Sequence, residues 1–240
     1  MIILNYHELT GGTPNNLWAL DHQLFHEHLA VYSADLIAPA TFLEECGRAE
    51  TARDRRVLLT FDDGFESDYS KGFAELIHES DVAFISFVPV NAVGRSGHLT
   101  WRMIDEMSRH GIAIGSHSMS HPDLTKLPAD EARQELVASK QIIEDHVGKE
   151  ANLFAFPFGK YNLRVCDMAL EAGYTHLFTI QLGFHNGFEP FLYSRLCVTN
   201  AMSAAYIAAY ISNPKRFRGV GQRLSARLGL YRPLMRWRMR

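Results

Sequence analysis

The chain has 240 residues, 47% hydrophobic and 21% charged, which suits one large α/β domain and excludes a low-complexity or disordered chain. No run approaches the roughly 18 apolar residues that would span a bilayer, and the opening MIILNYHELT lacks the basic start and long apolar stretch of a signal peptide. Cys46, Cys166 and Cys197 form no CxxC pair, which argues against a disulfide framework and predicts a cytoplasmic, reducing setting.

Apolar runs alternate with helical patterns along the chain. MIILNY at the start, VLLTF (57–61), VAFISFVPV (82–90), IAIGS (112–116), NLFAF (152–156), HLFTI (176–180) and FLYSRLCV (191–198) predict strands. The stretch LWALDHQLFHEHLAVYSA predicts an amphipathic helix with Trp18, Phe25, Leu29 and Tyr32 inward and His22, His26 and His28 on the wet face. Further helical patterns cover Tyr69–Glu79, Met103–Arg109, Ala129–Val147 and Arg164–Ala172. This order predicts an α/β fold built on a mainly parallel sheet, closing into a barrel. The near-continuous apolar strands fit a sheet covered on both faces.

In such folds chemistry gathers at the carboxyl ends of the strands. VLLTF ends in Asp62-Asp63-Gly64, IAIGS in His117 with His121 following, and NLFAF in Pro157-Phe158-Gly159. Two histidines four apart are a weak signal alone, because His22 and His26 share that spacing among the chain's 12 histidines. His117 and His121 differ in leaving a buried strand. Two histidines and one carboxylate make an open metal site, with Asp63 or Asp62 as the third ligand. A cation would also relieve the repulsion between the adjacent carboxylates.

Thr60-Phe61-Asp62-Asp63-Gly64 and His117-Ser118-Met119-Ser120-His121 resemble the T-F-D-D-G and H-[ST]-x-x-H motifs of the polysaccharide deacetylases, carbohydrate esterase family four. The resemblance runs from about residue 2 to 198 and includes NYHEL, LTWRMIDEMSRHGIAIGSHSMSH and FAFPFGKYN. It implies a distorted (β/α) barrel with about seven strands. Asp63, His117 and His121 would hold a divalent metal, usually Zn2+, with Co2+, Ni2+ or Mn2+ accepted. Asp62 would be the general base, and the backbone N–H of Phe158, between Pro157 and Gly159, would hold the oxyanion. The substrate implied is an N-acetylated amino sugar and the product acetate. A non-sugar C–N hydrolase on the same fold and a silent carbohydrate-binding relative are the alternatives.

Two positions depart from the family. The third motif, R-x-P-[YF]-G, has Ala155 in place of its arginine. Arg195, in LYSRLCV, is the candidate replacement partner for Asp62, against an alternative as a surface arginine. The closing L-x-H motif is absent, leaving His185 or His7 as general acid or sugar ligand. Phe65, Trp101, Phe158 and Tyr161 are candidates to stack on sugar rings, Trp101 foremost for exposure.

Residues 190–240 hold ten of the 24 Lys and Arg and no acid, whereas residues 1–189 carry 14 basic against 27 acidic residues. The expected organisation is a deacetylase domain over 1–200 and a helical, basic tail over 201–240. Basic residues interleaved with Leu and Trp over 213–240 suggest peripheral contact with a membrane and a lipid-linked substrate. No nucleic-acid partner is expected, since the rest of the chain is acidic.

Overall fold

The computed structural model describes residues 1–46, 55–76, 84–180 and 191–214. His185, the tail beyond Pro214 and the end of the Tyr69–Glu79 pattern lie outside these residues. The first third of the chain contains β1 (Ile2–Tyr6), β2 (Leu9–Thr10), β3 (Leu20–Asp21), α1 (His22–Tyr32), α2 (Pro39–Glu45) and β4 (Val57–Phe61). A π-helical turn, Asp68–Phe73, runs into the short α3 (Ala74–Leu76). Then come β5 (Ile85–Val88), α4 (Trp101–Arg109), β6 (Ala113–Ser116), α5 (Ala129–Val147) and β7 (Leu153–Ala155). The last elements are α6 (Leu163–Glu171), β8 (His176–Thr179), β9 (Leu192–Ser194), β10 (Leu196–Cys197) and α7 (Ala204–Ser212).

Eight strands form one parallel sheet in the order β10-β1-β4-β5-β6-β7-β8-β9. Its two edges are halves of a single run of chain. That run was expected as one strand, and it divides at Arg195. β9 pairs with β8, while β10 pairs with β1, so the sheet curls until its edges meet at that residue. The break explains why eight strands replace the seven expected.

Strand periodicity sorts the core into two shells. Ile3, Leu58, Ile85, Phe87, Leu153, Ala155, Phe178 and Tyr193 belong to the cluster that fills the barrel. Their neighbours Ile2, Leu4, Tyr6, Val57, Leu59 and Phe61 face the helices on the other side. A Cβ at Gly115 would lie 2.5 Å from two ring atoms of Phe87, so only glycine lets that ring occupy the interior. Along β1 and β4 the inward set passes from Ile3 and Leu58 to Asn5 and Thr60, which pair across the strands. The barrel is therefore apolar at its floor and polar at its carboxyl mouth.

Helix signals act locally. Asp21, Thr100 and Asn162 accept N-cap hydrogen bonds at α1, α4 and α6, and Gly148 closes α5 at φ 67°. Two expectations for the first helix are corrected. Trp18 precedes the helix, which begins at His22 behind its Asp21 cap. His28 does not face water: it is fully buried, with Nδ1 bonded to the Tyr6 hydroxyl (3.2 Å) and Nε2 to the Met202 carbonyl (2.9 Å). The segment entering α7, through the Met202 carbonyl, covers His28 but leaves His26 exposed. Ile207 and Ile211 of α7 join the same core as β1 and β4.

Candidate active site

Asp62 continues β4, its N–H donating to the carbonyl of Tyr6 at 3.0 Å. Asp63 then adopts φ 74° and Gly64 φ 61°, turning the chain across the mouth. Asp tolerates this left-handed region better than most residues. At Gly64 a side chain would also press on Val88 Cγ1, 3.2 Å away. His117 follows β6, its N–H bonded to the Val88 carbonyl at 3.0 Å. The loop beyond it reverses through two left-handed residues, Ser118 (φ 67°) and His121 (φ 61°).

These turns bring three donor atoms together. Asp63 Oδ1 lies 3.5 Å from His117 Nε2 and 3.3 Å from His121 Nε2, and the two Nε2 atoms are 3.1 Å apart. His117 Nδ1 is 2.7 Å from the carbonyl of Ala155, which can only accept, so Nδ1 donates. A neutral His117 thus turns an Nε2 lone pair toward a carboxylate oxygen. Two acceptors facing each other at 3.5 Å form an electron-rich pair that a cation relieves. A tetrahedral ion bonded at about 2.0–2.1 Å to its ligands would space them about 3.3 Å apart, close to the three distances here. Burial, reinforced by His117 and opposed by Asp63 and Asp62, holds His121 down to a pKa of about 4, so it presents a neutral imidazole. Among the described residues this is the one group of three or more such side chains arranged to hold an ion. The donor set fits a divalent metal.

Asp62, whose Oδ2 lies 3.9 Å from His117 Nε2, is bound by a different partner. Arg195 Nη1 donates to its Oδ1 at 2.7 Å and Nη2 to its Oδ2 at 2.8 Å, a bidentate pair with both residues buried. Burial by itself would raise the Asp62 pKa. The Arg195 charge, aided by His117 and the guanidinium hydrogen bonds, outweighs it and holds the carboxyl well below the usual range. The guanidinium also lies over the rings of Phe87 (5.2 Å) and Phe178 (5.8 Å). Arg195 is 1% exposed, which excludes a surface role.

Asn5, absent from the sequence-based site, joins the two charges. Its Nδ2 donates to Asp62 Oδ2 at 3.0 Å, and its Oδ1 accepts from Arg195 Nη1 at 3.1 Å and Thr60 Oγ1 at 3.0 Å. The signal that could have found it is a polar residue on the inward face of an apolar strand.

The remaining candidates fall on both sides of the mouth. Phe158 has φ 58° and is 44% exposed, with its ring edge-on to His121 at 4.5 Å. Gly159 (φ 63°) is required there, because a Cβ would sit 2.1 Å from Ile180 Cγ1. Pro157, which opens this turn, is buried. His7 follows β1; burial lowers its pKa, the charges of Asp63 and Asp62 oppose this, and its buried Nδ1 meets no hydrogen-bond partner in the structure. Trp18 lies beside the His7 ring, 5.5 Å between centroids. Trp101 is placed elsewhere: its ring lies flat on His146 of α5, 3.8 Å between centroids, and packs against the main core. Packing on α5 thus covers one face of the Trp101 ring, which stays half-buried. Phe65 stacks on His98 and Tyr161 on Phe156.

A parallel barrel thus carries at its mouth a two-histidine, one-aspartate set that could hold a metal ion, with a separate buried aspartate beside it. The polysaccharide deacetylase family matches residues 49–177, and the chain belongs to that family. Bacillus subtilis YxkH is 25% identical over 214 residues, covering 89% of this chain and 76% of its own. The peptidoglycan-N-acetylmuramic acid deacetylase PdaA of the same organism is 33% identical over 116 residues, 47% of this chain and 43% of PdaA. The Streptococcus pyogenes deacetylase PplD shares the fold with a TM-score of 0.76 at 22% identity, covering 88% of this chain and 97% of PplD.

Proposed function

We propose that the chain hydrolyses the N-acetyl amide of an amino sugar, releasing acetate and a free amine, with a divalent ion held by Asp63, His117 and His121. Zinc is the first choice for a mixed imidazole and carboxylate set. The observation that carries the reading is the division of labour at the DDG turn: Asp63 faces the two histidines while Asp62 is clamped by Arg195. When bound, the ion would polarise the acetyl carbonyl and make the attacking water more acidic.

The chain's own residues supply the rest. Asp62, kept ionised by Arg195 and oriented by Asn5, takes a proton from the attacking water. The Phe158 N–H, on the left-handed turn beside His121, stabilises the oxyanion. His7 or His185 delivers a proton to the leaving amine. The exposed Phe158 ring offers a sugar an apolar face. PdaA, named for N-acetylmuramic acid of peptidoglycan, supports a bacterial glycan as substrate. The basic stretch 213–240 supports a glycan carried at an anionic membrane surface and met from the cytoplasmic side.

The test is acetate release from N-acetylated sugars, peptidoglycan fragments and lipid-linked precursors, with and without chelator. Chelator-sensitive acetate from at least one glycan supports the reading. Sugar binding without turnover, or turnover indifferent to chelation and metal return, overturns it.

A further inference from the structure

The loop that carries the two histidines is held from outside the site by one carboxylate. Glu135, half-buried on α5, accepts from the N–H of Met119 and the N–H of Ser120, both at 2.9 Å to Oε2. Its Oε1 accepts from Ser120 Oγ at 2.6 Å. Consecutive N–H groups pointing the same way form a small anion-binding concavity, and here the anion belongs to the protein. Bonds to a charged acceptor are roughly twice as strong as neutral ones.

The clasp sits between the residues that need it. Ser118 and His121, on either side, both occupy the left-handed region at φ 67° and 61°. Neither is glycine, so this turn costs energy that the surroundings must supply. Between the sheet and α5, Ser116 Oγ accepts from the Ser118 N–H (3.1 Å) and Ser118 Oγ from the His121 N–H (3.0 Å). Ser116 Oγ in turn donates to Ser139 Oγ at 2.9 Å, and Ser139 lies one helical turn beyond Glu135 on α5. One face of α5 therefore fixes the loop from two sides. His121 Nε2 reaches within 3.1 Å of His117 Nε2 only while that turn is kept.

We infer that Glu135 is a positioning residue for the metal donor set, acting through the backbone of Met119 and Ser120 without touching substrate or ligand atoms. The inference rests on the proposed divalent ion at Asp63, His117 and His121. Removing such a support should cost on the order of 10–100-fold in metal affinity.

The experiment measures Zn2+ affinity by competition with a chromophoric chelator for the wild type, Glu135→Ala and Glu135→Gln, together with amide hydrogen exchange of the metal-free proteins. Glu135→Ala should bind Zn2+ on the order of 10–100-fold more weakly, with faster exchange at Met119 and Ser120 and unchanged exchange in β1, β4 and β5. Glu135→Gln, which keeps a carbonyl acceptor but not the charge, should fall between. Should Glu135→Ala fail to fold, Ser120→Ala, which removes only the Oγ contact, and Glu135→Gln carry the comparison. Wild-type Zn2+ affinity in the variants overturns the inference, even if the loop amides exchange faster. A wild type that binds no Zn2+ overturns the metal reading and this inference together, whereas Zn2+ binding that is equal in all proteins overturns this inference alone.

Discussion

Arg195 meets Asp62 through two parallel contacts, 2.7 Å from Nη1 to Oδ1 and 2.8 Å from Nη2 to Oδ2, at the point where the barrel's two edges join. The family places its arginine at the position of Ala155, at the end of β7. Here the Ala155 side chain is buried in the barrel interior while its carbonyl orients His117. The charge that balances Asp62 comes instead from across the barrel, where β9 gives way to β10. A backbone carbonyl does not depend on the side chain it is attached to, so the alanine leaves the orientation of His117 intact.

Removing that charge should be costly. Arg195→Ala would leave Asp62 buried and unpaired, a change worth about 3–5 kcal/mol of stability. Arg195→Lys should recover only part of it, because an ammonium cannot make both contacts. The pH dependence has a definite sign. In the native protein the Asp62 carboxyl is held below its ordinary pKa, so its stabilising contribution is present above about pH 4 and is lost as pH falls below that. Without Arg195, burial dominates and the pKa rises. The acid limb of kcat/KM should therefore move to higher pH in the variant. A limb at the wild-type pH would separate Arg195 from Asp62.

Asn5 tests whether orientation adds to charge. Asn5→Leu removes a donor to Asp62 and an acceptor from Arg195 without touching the metal triad. Each group left short of a partner costs about 1–3 kcal/mol. Turnover should fall with KM little changed, and Zn2+ content should stay at the wild-type level by elemental analysis. A loss of metal would place Asn5 in the support of the triad.

The two carboxylates should separate by role. Asp62→Asn should nearly abolish acetate release yet keep metal, since a base is lost and no ligand. Asp63→Asn should lower both, because its Oδ1 is the oxygen within 3.5 Å of both histidines. Elemental analysis beside a turnover assay checks this, and identical behaviour of the variants would erase the distinction.

The sequence makes legible what is local to a strand end. Asp62, Asp63, His117 and His121 each follow an apolar strand within one or two turns of chain, so their convergence needs only a parallel sheet. Arg195 stands out as a charge inside an apolar run. Asn5 was not legible, because its partners Asp62 and Arg195 lie 57 and 190 positions away and meet only after barrel closure. His28 failed for a related reason: the residues that bury it, Tyr6 and Met202, come from opposite ends of the chain. Trp101 opens a helix near the site in sequence, but its ring is taken up by His146 of the next helix.

The basic stretch predicts a location. Nine Lys and Arg and no acid occupy residues 213–240, interleaved with Leu228, Leu234 and Trp237. Each basic residue near an anionic bilayer contributes about 1 kcal/mol, and the attraction should fade as the Debye length shrinks to about 3 Å at 1 M salt. Full-length protein should sediment with anionic vesicles at low salt, and a chain ending at Asn213 should remain in solution while still hydrolysing a soluble substrate. If neither protein binds vesicles, the stretch serves packing or another partner.

The last expectation concerns a second buried carboxyl. Asp68, at the start of the π-helical turn, is completely buried and accepts one hydrogen bond, from Ser86 Oγ at 2.7 Å. Its Oδ1 meets no hydrogen-bond partner in the structure, and no cation is paired with it among the described ion pairs. Burial raises its pKa well above the ordinary value, the Ser86 bond opposes this, and the charges of Asp63 and Asp62 add to it. The folded protein thus binds this proton more tightly than the unfolded chain does. The resulting contribution is fully present below about pH 4, the unfolded carboxyl's pKa, and declines as pH rises from there toward the folded value. This is the reverse of the dependence at Asp62. An amide has nearly the same shape and no charge to bury, so Asp68→Asn should be neutral or stabilising at pH 8. Its advantage over the wild type should shrink as pH falls toward 4. Denaturant unfolding of both proteins across that range checks the sign. An Asn variant that is increasingly destabilised relative to wild type as pH rises would mean that Asp68 is ionised and paired in the folded protein.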